Sequence, residues 1–70
     1  MENYDKEVLD LAMEAGRILL DAGAEIFRVE ETIQRIAKAF GIEKCSTFVL
    51  STGIFITAEN QEGQIYASVK

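Results

Sequence analysis

Seventy residues allow a single domain, and a chain this short buries only about 60% of the surface its unfolded form exposes, so a partner would help to hold it. Seven Lys and Arg against twelve Asp and Glu leave a formal net charge of −5, which disfavours nucleic acid and anionic lipid headgroups, since both attract clustered cations. One cysteine, Cys45, and no histidine rule out an internal disulfide and a zinc-type ligand set, so no metal or cofactor is expected and a reducing compartment is the simplest setting.

The first residues, Met1-Glu2-Asn3-Tyr4-Asp5, are acidic where a secretory signal would be basic. No apolar run approaches the roughly 18 residues a spanning helix requires. From about residue 3 to 22, Tyr4, Val8, Leu11, Ala15, Ile18, Leu19 and Ala22 recur at three- and four-residue spacing, which predicts a helix buried on that face. Leu9, Met13, Gly16 and Leu20 form a second stripe beside it, so the helix is expected to have more than one packing neighbour, with Gly16 permitting a close approach.

Gly23 suits a left-handed helix end, and a second periodic pattern follows over about residues 24–40 through Ile26, Val29, Ile33, Ile36, Ala37 and Phe40. Its polar face carries Glu25, Arg28, Glu31, Gln34, Arg35 and Lys38, acids toward the start and bases toward the end, as the helix dipole favours. Gly41 then marks the stop, with Ile42 placed to pack back on the last turn.

Beyond residue 42 the chain becomes rich in Thr, Val, Ile, Phe and Tyr, which predicts strands at about 43–51, 54–59 and 64–70 separated by turns at Thr52-Gly53 and Asn60-Gln61-Glu62-Gly63. The expected fold is α+β: an antiparallel helical hairpin packed on a three-stranded antiparallel β-meander. Alternation across the second loop sets Ala58 against Ile65, Ile56 against Ala67 and Ile54 against Val69 on one side. Phe48, Leu50, Phe55 and Tyr66 fall on the other side, an apolar patch expected to be an interface with a second copy or with further chain. The strand pattern is still running at Lys70, so a longer polypeptide is expected.

Four groups of residues invite a chemical reading. Ser51 and Thr52 lack a histidine to act as base and suit a turn. Cys45 sits among strand residues without an activating cation and suits a structural role. Gly16 and Gly23 match no phosphate-binding pattern. The fourth group is the run Gly16-Arg17-Ile18-Leu19-Leu20, Gly23-Ala24-Glu25, Arg28-Val29-Glu30-Glu31-Thr32 and Arg35.

That run is similar to the signature of the threonine/serine exporter (ThrE-like) family, which reads approximately G-R-x-L-L-x-x-G-A-E-x-x-R-V-E-[DE]-T followed by a further Arg. The likeness extends from about Ala15 to Ile56, with Leu50-Ser51-Thr52-Gly53 in place of the family's usual Thr-Pro-Thr-Gly. It implies a water-exposed segment at the cytoplasmic face of an inner-membrane exporter, with a transmembrane domain downstream as partner and a small polar metabolite such as threonine or serine as substrate. Proton-motive-force coupling is implied in the same way. The resemblance makes Glu25, Arg28, Glu30, Glu31, Thr32, Arg35, Ser51, Thr52 and Gly53 the candidate functional motif, with Arg28 and Arg35 held by Glu25, Glu30 and Glu31.

Read without the resemblance, the same polar residues form a solvated helix face whose ion pairs contribute only about 0.2–0.5 kcal/mol each. Two rival functions are set beside the exporter reading: a self-contained dimerisation or interaction module without a transport role, and a small hydrolase or regulatory enzyme, for which only carboxylates without an evident partner geometry are present. No enzyme activity is expected.

Overall fold

The computed structural model describes residues 3–59 and 65–69, with side chains over residues 4–59. Helices α1 (Asn3–Asp21) and α2 (Ile26–Ala39) form because apolar residues recur at helical spacing in a chain with no proline to interrupt them. Each ends on a glycine with positive φ, Gly23 at 88° and Gly41 at 97°. In both, the glycine N–H bonds three residues back and the next N–H bonds five back: Gly23 to Leu20 and Ala24 to Leu19, then Gly41 to Lys38 and Ile42 to Ala37. This paired arrangement satisfies carbonyls that a helix end leaves without partners. Helix α2 begins at Ile26 and not at Ala24 because Glu25 has extended backbone and serves as its N-cap.

The face of α1 that enters the core differs from the one its longer stripe predicts. Val8, Leu9, Ala12 and Met13 are buried, whereas Tyr4, Leu11 and Ile18 are exposed. Gly16 is the physical reason: it lies so close to Ile33 of α2 that an added Cβ would come within 2.6 Å of the Ile33 Cδ1 and 3.4 Å of the Ile54 Cδ1. A helix can pack tightest along a line that has no side chain, and the stripe beside Gly16 is therefore the one that turns inward. Val29, Ile33 and Ala37 of α2 complete the helical half of the core.

Strands β1 (Lys44–Leu50) and β2 (Gly53–Glu59) pair antiparallel, from Lys44 opposite Glu59 to Leu50 opposite Gly53. Ser51 and Thr52 form the two-residue turn, one position earlier than predicted, and Gly53 is a buried strand residue without positive φ. Period-two alternation sends Val49, Ile54, Ile56 and Ala58 into the core and Phe48 and Phe55 outward.

The expected helical hairpin on a three-stranded meander requires correction, although the α+β class stands. The sheet under the helices is the two-stranded β1–β2 hairpin: α2 lies against β1, and α1 touches β2. A further segment, β3 (Ile65–Val69), runs antiparallel along β2 only. Its register is Glu59 opposite Ile65, Ala58 opposite Tyr66 and Ile56 opposite Ser68, one residue away from the predicted Ala58–Ile65 alignment. A one-residue slip exchanges the two faces of a strand. Tyr66 thus stands opposite the core-side Ala58 and not in register with Phe48 and Phe55. The side chain of Tyr66 and the turn Asn60-Gln61-Glu62-Gly63 lie outside the described residues.

Candidate functional site

The motif singled out on the second helix is spread around α2 instead of being gathered into one cluster. Glu25 is the N-cap, with extended backbone (φ −64°, ψ 145°); its carbonyl accepts the N–H bonds of Arg28 and Val29, and its side chain makes no cap bond. Arg28 and Arg35 are seven residues apart, so they share one exposed line along the helix, about 10 Å from end to end. The Arg28 guanidinium carbon sits 5.8 Å from the centre of the Phe27 ring, a cation–π contact contributing about 0.5–1 kcal/mol at an exposed site. Arg35 pairs with Glu31 at 3.6 Å across one helical turn. Thr32 is half-buried beside them.

Glu30 has a separate task, which the sequence alone does not reveal. Its carboxylate accepts the backbone N–H of Val49 at 3.3 Å, and four residues later Gln34 Nε2 donates to Thr47 Oγ1 at 3.1 Å. Strand β1 is an edge strand, whose outward amides are ready-made templates for another strand. The two α2 side chains are therefore a clasp on that edge, satisfying one of its donors and fixing the helix to the hairpin. Glu at helix position 30 announces a polar face; that it reaches a strand 19 residues on depends on tertiary packing.

Ser51 and Thr52 project from the hairpin tip, and Gly53 is buried at the start of β2. Next to that tip, on the face away from the helices, Phe48 and Phe55 stand 59% and 40% exposed, their ring centroids 6.0 Å apart and tilted by 41°, with exposed Leu50 beside them. At the other end of the same face Lys44 pairs with Glu59 at 3.8 Å. There a cavity of about 540 Å³, lined by Glu43, Lys44, Cys45, Ser46, Thr57, Ala58 and Glu59, opens widely to solvent. Its charges are screened by water, so it offers little hold on a small ion.

Burial raises the Cys45 thiol above its ordinary pKa, the opposite of what an activated nucleophile shows. Among the described residues no group of His, Cys, Asp or Glu could hold a metal ion, and no helix is long and apolar enough to cross a membrane. What the arrangement supplies is surface: a line of two arginines, a clasped strand edge and an aromatic pair.

Comparison with known proteins gives one positive finding. The family model described as "Putative threonine/serine exporter" matches residues 10–70. No curated protein and no solved structure matches the chain.

Proposed function

Because this chain belongs to the threonine/serine exporter family, we propose that it is the cytoplasm-facing segment of an inner-membrane exporter of threonine, serine or a similar small polar metabolite. The observation that carries this reading is the extent of the match, which takes in α1 from Asp10 onward, all of α2 and the entire β1–β2 hairpin. In this reading the conducting path belongs to membrane helices elsewhere in the same polypeptide, each of which needs about 20 apolar residues. An exporter family is one of carriers, not of catalysts, in keeping with the expectation that the chain is no enzyme.

In this reading Arg28, Glu31 and Arg35 present the exposed side of α2 toward the membrane part, with Glu25 and Thr32 beside them, while Glu30 holds the helix to β1 and the exposed turn Ser51-Thr52, set by Gly53, adds to the functional surface. A pair of exposed cations two turns apart suits the carboxylates of outgoing amino acids or acidic groups on the membrane part. The test is export by the intact protein carrying Arg28→Ala and Arg35→Ala together. Export is expected to fall about tenfold while membrane abundance is unchanged; parental export would remove the motif from the mechanism.

The exposed Phe48–Phe55 pair supports a second reading, a dimerisation module, in which the outer sheet face joins two copies. The readings differ in one observable: a pure interaction module leaves amino-acid efflux unaltered when it is removed.

A further inference from the structure

The outer side of α1 carries a regular pattern that the core does not use. Tyr4, Leu11 and Ile18 are 55%, 54% and 62% exposed and fall seven residues apart. A seven-residue period drifts only about 20° per repeat around an α-helix, so the three side chains form one nearly straight apolar line. Ala15 and Ala22, each four residues past a member of that line, keep its flank low and open to close approach. On the other flank runs a second exposed line with the same period, Glu7, Glu14 and Asp21.

An apolar line at heptad spacing is the seam a second helix packs into, and the charges beside such a seam select the partner. Here that flank is acidic. Arg17 reaches Asp21 at 3.8 Å, so Glu7 and Glu14 dominate the field along the seam. Two copies of α1 meeting here would bring like charges together in a chain already at −5, which disfavours self-pairing.

We infer that this face of α1 seats a basic amphipathic helix, with apolar residues at heptad spacing against Tyr4, Leu11 and Ile18 and with Lys or Arg opposite Glu7 and Glu14. The inference rests on the surface of α1 and holds or fails independently of the exporter reading.

The test is a titration of the purified protein with a fluorescein-labelled synthetic helix of about three heptads, Leu at the seam positions and Lys at both flanks. The control peptide carries Glu in place of Lys. Fluorescence anisotropy at physiological ionic strength is expected to give micromolar binding of the Lys peptide and none of the Glu peptide. Leu11→Glu is expected to weaken binding at least about tenfold, and the double variant Glu7→Lys/Glu14→Lys to exchange the preference between the peptides. These positions are exposed, and circular dichroism confirms that each variant is folded. Three results would overturn the proposal: Leu11→Glu binding the Lys peptide as tightly as the parent does, the double variant keeping the parental preference, or a dimer that Leu11→Glu converts to monomer.

Discussion

Three small residues, Gly16, Gly23 and Gly41, decide how the helices meet and stop. Gly23 and Gly41 are readable from sequence because a glycine after a periodic run has a local meaning, whereas Gly16 is only half readable. A missing side chain announces a close approach but does not name the neighbour, which is the buried Ile33. Gly16→Ala gains up to about 1 kcal/mol of helix propensity and loses about 1–3 kcal/mol to overpacking, because Ile33 has nowhere to move. Urea unfolding is expected to show a net loss of about 1 kcal/mol with unchanged slope; a gain in stability would mean that Ile33 yields freely. At the same scale, burial holds the Cys45 thiol protonated to higher pH than a free thiol. Iodoacetamide at mildly alkaline pH is expected to modify Cys45 more slowly than it does in the urea-unfolded chain, and equal rates would contradict the burial. The sign for stability follows: this contribution is complete below the unfolded-state pKa and is lost as pH rises toward the higher folded value.

Helix α2 and strand β1 are joined by Glu30 and Gln34, a contact that makes two family-motif neighbours, Glu30 and Glu31, energetically unlike. Glu30→Ala strips the Val49 amide of its partner at an edge and is expected to cost about 1 kcal/mol. Glu31→Ala removes only an exposed ion pair and is expected to cost about 0.3 kcal/mol. Equal costs in urea unfolding would show that the clasp contributes nothing beyond surface charge. Periodicity located both helices and the first hairpin, since 3.6- and two-residue repeats are local properties. It did not fix which broad face of α1 turns inward, nor the register of Ile65–Val69. A slip of one residue across a loop costs no sequence signal yet moves Tyr66 to the opposite alternation. The clasp was invisible for a related reason: Glu30 was legible as a motif residue, while its acceptor role depends on where β1 comes to rest.

The whole molecule is a small acidic body whose described residues leave apolar surface on the outer sheet face at Phe48, Leu50 and Phe55, along the outer line of α1, and at the ends of α2, where Ile26 and Phe40 are exposed although the α2 periodicity points them inward. If the sheet face joins copies, sedimentation is expected to show concentration-dependent dimers that Phe55→Glu abolishes and Leu11→Glu leaves intact. A strictly monomeric profile at high concentration would remove that interface. The family could be read from the Gly16-to-Thr32 run, because a long pattern of fixed spacings rarely arises by chance, and the match over residues 10–70 agrees with it. Substrate choice was not readable, since the cavity at Lys44 and Glu59 opens widely to solvent and its lining selects no particular ligand. The account turns on export, and amino-acid efflux measures that directly. In cells loaded with threonine- or serine-containing dipeptides, those making the intact protein are expected to accumulate extracellular threonine or serine faster than cells lacking it; identical accumulation of both amino acids would contradict the account.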